Sequence, residues 1–175
     1  PTLLNQASQF VRGTWITVGP GIRRCFPWVA VLLPAIALAR LIYEHAVNIP
    51  FLDDWMFVQM DSRVASGELT WRDFFIVQME HRMAFVRAVV MLCHWWFPTN
   101  YTVMMGVSWL MLAGTAWNVF VLLRRTTGEK FPFFWHVMVL CSLVIFSPVQ
   151  YQIVLWAMMF QVAAPAFFLS TSMVV

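Results

Sequence analysis

Apolar residues occur in four long runs along this chain, and more polar segments separate the runs. The first run, 26–43, is interrupted only by Arg40, close to its end. A helix of about 17–25 apolar residues crosses a bilayer, and an arginine near its end can extend its charge to the surface. The pattern therefore predicts four membrane-spanning helices, at residues 26–43, 101–123, 131–147 and 153–175, the last kinked near Pro165.

A shorter apolar run, residues 83–97, is predicted to lie on the membrane surface instead of crossing it. Glu80, Arg87 and His94 recur every seven residues and so share one helix face, and Trp95 and Trp96 form a pair typical of the membrane interface. If this run crossed the membrane, the basic loop 124–130 would lie outside. The positive-inside rule disfavours that arrangement.

Composition narrows the class of protein. Hydrophobic residues make up 61% of the 175 residues and charged residues 11%, whereas soluble domains carry about 25% charged residues. The chain therefore lacks the polar surface of a soluble enzyme, a nucleic-acid-binding domain or a disordered tail, and an integral membrane protein is predicted. The three cysteines lie far apart, which argues against a disulfide framework or a zinc site.

The few charges are sorted along the chain. Seven of the eight acids lie between residues 44 and 80, while basic residues flank this stretch as Arg23–Arg24 and Arg124–Arg125. The positive-inside rule then places the N-terminus in the cytoplasm and the acidic stretch outside, in a membrane that we expect to be the bacterial inner membrane. The predicted segments are a cytoplasmic N-terminal segment (1–25), a first spanning helix (26–43), an extracytoplasmic loop with interfacial helices (44–100) and three further spanning helices (101–175).

Local signals suggest structure within the acidic loop. Ser66, Gly67 and Glu68 predict a turn, and Thr70 followed by Asp73 predicts the start of a helix. Because the chain stops inside an apolar run, we expect it to be the N-terminal part of a longer protein.

Three polar clusters are candidates for chemistry. Asp53 and Asp54, followed by Trp55, can supply a general base or ligate a divalent cation, although any external loop carries acids. Glu80, His81 and Arg82 offer groups for phosphate binding or proton transfer, or else form the charged start of a helix. The third cluster contains Gln150, Gln152, Trp156 and Gln161; Gln161 is predicted to face a cavity or to form a hydrogen bond to another helix.

The histidines outside these clusters were weighed as haem or chlorin ligands. Only His136 lies well inside a predicted span, and no second histidine is spaced to join it, so packing or interfacial roles are favoured for His45, His94 and His136.

The order of these motifs resembles that in bacterial polytopic membrane glycosyltransferases of the GT-C fold. The resemblance rests on Asp53-Asp54-Trp55, Glu80-His81-Arg82, Asn100, Arg124-Arg125, Phe146-Ser147-Pro148, Gln150, Leu155-Trp156 and Gln161. It implies an all-α fold with a large first outer loop and a polyprenyl-phosphate-linked sugar as donor.

The resemblance also implies roles for single residues. Asp53, with Asp54 as its close rival, would act on the acceptor hydroxyl. Arg82 and His81 would stabilise the lipid phosphate, and Trp55 and Trp156 would stack on the sugar or the prenyl chain. Glu80, Gln150 and Gln161 complete the expected substrate-binding set, and a divalent cation is the one cofactor considered.

The alternative is a non-catalytic accessory or scaffold subunit of a larger membrane complex, with other membrane subunits and lipids as partners. A pigment- or haem-binding subunit is a third possibility.

Overall fold

The computed structural model describes residues 20–78, 81–128, 132–150, 155–156 and 160–175. The fold is helical, as predicted. Within the described residues, two strands of two residues each pair in antiparallel fashion, Val77 with Arg82 and Gln78 with His81. In chain order the elements are α1 (Pro20–His45), a 3-10 helix (Leu52–Asp54), α2 (Trp55–Ser66), a second 3-10 helix (Trp71–Phe75), β1 (Val77–Gln78), β2 (His81–Arg82), α3 (Ala84–Trp96), α4 (Tyr101–Thr127), α5 (Phe134–Ile145), a third 3-10 helix (Pro148–Gln150) and α6 (Phe160–Val174).

Two helices are long and apolar enough to cross a membrane. They are the Cys25–His45 part of α1, with a mean hydropathy of 2.0, and α4, with a mean hydropathy of 1.6. At about 1.5 Å per residue, each reaches the roughly 30 Å of a bilayer's hydrocarbon core. These two helices match the first two predicted spans.

The other two predicted spans form shorter helices. α5 has 12 residues and α6 has 15, which is less than a straight crossing needs. The helix predicted from residue 153 is interrupted, since Leu155 and Trp156 lie in a turn and α6 begins at Phe160. The indole of Trp156 instead donates to the carbonyl of Phe51, 3.1 Å away, in the segment that follows α1. Pro165 lies inside α6, as expected.

Polar side chains join the long helices to their neighbours. Ser142 of α5 donates a hydrogen bond to the carbonyl of Val31 in α1, at 2.6 Å. One turn further along α1, the indole of Trp109 in α4 donates to the carbonyl of Ala35, at 3.0 Å. These two bonds fix α1 against α5 and α4 through its backbone.

The segment 46–100 is folded and packs on the ends of α4 and α6. Its core surrounds Phe57 and continues into both helices, through Met60, Met83, Val86, Val90, Tyr101, Met104, Phe160 and Ala164. The predicted turn is present, because Gly67 has a φ of +72° and ends α2. The predicted helix start is also present, since the backbone N–H and hydroxyl of Thr70 both donate to Asp73 Oδ2, at 2.7 and 2.9 Å.

Helix α3 forms where an amphipathic helix was predicted, but its polar face is turned inward. Arg87 and His94 do share a face, as expected, and both are buried. The opposite, exposed stripe is apolar and consists of Phe85, Ala88, Leu92 and Trp95. The interpretation of Arg87 and His94 as the polar surface of an interfacial helix is therefore corrected: they bind other parts of the loop.

Candidate functional site

The adjacent acids Asp53 and Asp54 have different surroundings. Both lie in the 3-10 helix that precedes α2. Asp53 is half-buried, whereas Asp54 is 1% exposed and its Oδ2 accepts a hydrogen bond of 3.2 Å from the backbone N–H of Phe51. Asp54 thus holds the turn together from inside, and Asp53 is the more accessible of the two acids.

Trp55 and Trp156 flank this turn. Trp55 begins α2 and is 56% exposed. Trp156 donates its indole N–H to the carbonyl of Phe51, at 3.1 Å, and its ring meets the ring of Phe51 edge to face, with 6.1 Å between ring centres. The structure therefore brings the first and third predicted clusters together, although 105 residues separate them.

The remaining predicted residues are described less fully. His81 and Arg82 form β2, which pairs with β1, and Gln150 ends the third 3-10 helix. The structure describes the backbone of these three residues but not their side chains. Glu80 lies wholly outside the described residues. Gln161 is half-buried near the start of α6.

A buried polar group that the sequence did not indicate lies below the acid pair. His94 Nδ1 is 2.8 Å from Asp61 Oδ2 and 3.0 Å from Asp61 Oδ1. The ring of His94 meets the ring of Tyr101 edge to face at 5.3 Å. The group therefore joins α2, α3 and the start of α4. Sequence spacing offers no signal for it, since Asp61 and His94 are 33 residues apart.

Arg87 fastens the second 3-10 helix to α3. Its Nη1 donates to the carbonyl oxygens of Asp73, Phe74 and Ile76, and its Nη2 lies 3.0 Å from the sulfur of Met56. Burial lowers the pKa of the Arg87 guanidinium, and the charge of Asp73 opposes this effect. Arg87 therefore stabilises the loop that carries the second predicted cluster.

The carboxylate of Asp73 is held by two hydrogen bonds and one ion pair. The backbone N–H and hydroxyl of Thr70 bind its carboxylate, and Arg63 forms an ion pair with it. These bonds, that of the Thr70 backbone first, hold the pKa of Asp73 below its usual value of 3.8.

The acid pair offers little to a divalent cation by itself. Among the residues with described side chains, no group of three or more histidines, cysteines or acids is placed to hold a metal ion. Of the two acids, Asp54 directs its Oδ2 to the backbone N–H of Phe51.

No family model, curated protein or solved structure matches this chain. The case for a function therefore depends on the residues and their geometry.

Proposed function

We propose that the chain is part of a membrane glycosyltransferase that transfers a sugar from a polyprenyl-phosphate-linked donor on the extracytoplasmic side. The observation that carries the proposal is the contact of Trp156 with Phe51, beside Asp53. It joins an accessible acid and two tryptophans, Trp55 and Trp156, at the outer end of apolar helices. Sugar rings bind well on such aromatic faces, and the acid lies within the same turn.

In this proposal Asp53 is the general base. It takes the proton of the acceptor hydroxyl while that oxygen attacks the anomeric carbon of the donor sugar. The bond from the anomeric carbon to the phosphate oxygen breaks, and polyprenyl phosphate leaves with the bonding electrons. Asp54 is a positioning residue, since its bond to Phe51 sets the turn that presents Asp53.

The other expected residues serve the donor. Arg82 and His81 would stabilise the phosphate that leaves, because guanidinium and imidazolium groups form charge-assisted hydrogen bonds to it. Glu80 would order this pair, and Gln150 and Gln161 would bind sugar hydroxyls. These assignments follow from the motif order described above.

The proposed arrangement has four spans, an N-terminus in the cytoplasm and the 44–100 segment outside the bacterial inner membrane. It is supported by the two long apolar helices and by the exposed apolar stripe of α3, which suits a membrane surface. The two shorter helices would then cross where the bilayer is thinned. A cysteine in place of Thr127, at the end of α4, should resist a membrane-impermeant reagent in intact cells; ready labelling would contradict the arrangement.

The test of function is Asp53→Asn in the full-length protein. We expect sugar transfer to fall roughly 10²- to 10⁴-fold, the usual contribution of a general base, while the protein remains folded. Glu68→Gln is the matched control, because Glu68 is an exposed acid of the same loop. Unchanged transfer in both Asp53→Asn and Asp54→Asn would overturn the acid–base proposal. A full-length wild type without transferase activity, bound to other membrane subunits, would support an accessory subunit instead.

A further inference from the structure

A groove of about 840 Å³ lies between α2, the 3-10 helix Trp71–Phe75 and α3. Most of its wall is apolar and is formed by residues such as Val64, Leu69, Phe74, Ala88, Met91 and Leu92. Its volume lies within the range of about 300–1,000 Å³ that is typical of small-molecule sites. Neither the acid pair nor Trp156 belongs to this wall, so the groove is distinct from the proposed catalytic site.

The position of the groove indicates where a ligand would come from. Pro98 and Thr99 belong to its wall and lie just before Asn100, the residue that caps α4. Trp71 and Trp95, the latter 84% exposed, lie on its wall, and tryptophans are typical of the membrane interface. In the membrane arrangement proposed above, on which this inference rests, the groove therefore lies at the level of the outer lipid headgroups.

The groove has one acidic group in its described wall. The side chain of Asp61 is 21% exposed there, while that of His94 is 5% exposed and binds Asp61 through Nδ1. A carboxylate has about four acceptor positions, so Asp61 can accept further hydrogen bonds. Within the described residues, His94 Nε2 has no hydrogen-bond partner, so the pair is not satisfied by protein alone. An acidic acceptor in an apolar wall suits a ligand with an apolar chain and a cationic donor.

We propose that this groove binds a lipid of the outer leaflet whose headgroup carries a hydrogen-bond-donating ammonium. One hydrocarbon chain fills the apolar groove, and the ammonium donates to Asp61. Phosphatidylethanolamine has such a donor, whereas phosphatidylcholine carries the same charge without an N–H. The comparison of these two lipids therefore isolates the hydrogen bond to Asp61.

The experiment uses the full-length protein, with its native cysteines replaced by alanine, in lipid nanodiscs. A single cysteine replaces Ala88 in the groove wall and carries an environment-sensitive fluorophore. Phosphatidylethanolamine or phosphatidylcholine with a nitroxide on one chain is then titrated as the quencher. We expect half-quenching at a roughly three- to tenfold lower fraction of phosphatidylethanolamine, which corresponds to one partly exposed charged hydrogen bond.

Variants separate the chain site from the headgroup contact. Asp61→Asn should abolish the preference for phosphatidylethanolamine, and Glu68→Gln, the matched exposed acid, should retain it. Ala65→Leu narrows the groove and should weaken quenching by both lipids, which provides a second test if Asp61→Asn does not fold. An equal response to both lipids in the wild type would overturn the proposed headgroup contact.

A reference label distinguishes failure of this proposal from failure of the membrane arrangement. Leu110 is exposed in the middle of α4, and a fluorophore there should be quenched by any nitroxide lipid if α4 spans the bilayer. Quenching at Leu110 without quenching at Ala88 would overturn the groove proposal alone. Absence of quenching at both positions would overturn the membrane arrangement. Sugar transfer is measured separately, so neither result depends on catalysis.

Discussion

Gly114 of α4 lies directly against the ring of Phe167 in α6. A methyl group added at Gly114 would lie 2.5 Å from Cε2 and 2.8 Å from Cδ2 of that ring, closer than carbon atoms approach without displacement. The missing side chain is therefore what lets these two helices pack at this distance.

Gly114→Ala should push α6 away from α4 and lower the free energy of unfolding by about 1–3 kcal/mol, the usual cost of overpacking. Gly106→Ala is the matched control on the same helix, because nothing lies within 4 Å of its added methyl. We expect that variant to be neutral or more stable by up to roughly 1 kcal/mol, since alanine favours the helix. Titration with a denaturing detergent in mixed micelles measures the free energy of unfolding of both variants. Equal stability of the two variants would contradict the close contact between Gly114 and Phe167.

Asn118 joins the same two helices by hydrogen bonds. Its Nδ2 donates to Ser170 Oγ at 3.0 Å and to Thr171 Oγ1 at 2.9 Å, and both hydroxyls donate in turn to the carbonyl of Phe167. Asn118→Leu should cost about 1 kcal/mol, since interhelical hydrogen bonds in membranes average about 0.6 and reach about 1.7 kcal/mol. Thr115→Val is the control, as the Thr115 hydroxyl binds Met111 of its own helix. A loss in the control as large as in Asn118→Leu would exclude the interhelical explanation.

The bond between Trp156 and Phe51 should matter for both stability and function. Trp156→Phe keeps an aromatic ring but removes the indole N–H, so it should cost about 1 kcal/mol and lower sugar transfer if the proposed site is correct. Trp96→Phe, at an exposed position of α3, should change neither. Melting temperature and transfer rate measure the two effects. A variant that is as active and as stable as the wild type would show that this contact does not position Asp53.

Acid should weaken the folded 46–100 segment through Asp73. Because the folded protein holds the pKa of Asp73 below 3.8, its carboxylate stabilises the fold above that value, and the stabilisation is lost as the pH falls through the lower, folded value. The difference in stability between wild type and Asp73→Asn should therefore be present at pH 6 and vanish towards about pH 2. The rate of proteolysis of this segment at each pH measures the difference in stability. The contributions of the other acids cancel in this difference, because both proteins contain them. A difference that does not change with pH would refute this role.

Local signals in the sequence predicted local structure well. The apolar runs predicted α1 and α4, and Gly67 and the Thr70–Asp73 pair predicted a turn and a helix start. The turn and the helix start each depend on residues that are at most a few positions apart in the sequence.

Features that depend on distant partners were missed or misread. The sequence places Arg87 and His94 correctly on one face of α3. Their partners, Asp61 and the carbonyls around Phe74, lie 11–33 residues away, so the spacing alone does not show that this face is buried. The apolar run also predicts a continuous last helix that includes Trp156. An apolar run does not reveal that the indole N–H of Trp156 binds the carbonyl of Phe51. The contact of Trp156 with Phe51, two residues before Asp53, has no local signal in the sequence.

The bond from Ser142 to Val31 has a consequence for synthesis of the chain. Its two partners are 111 residues apart, and at roughly 5–20 residues per second the ribosome adds Ser142 about 6–20 seconds after Val31. During that delay α1, with the prolines Pro27 and Pro34 in its body, has no contact with α5. If α1 spans the membrane as proposed, its high hydropathy would hold it there before α5 is made, and polar substitutions in α1 should impair insertion before they affect the finished fold.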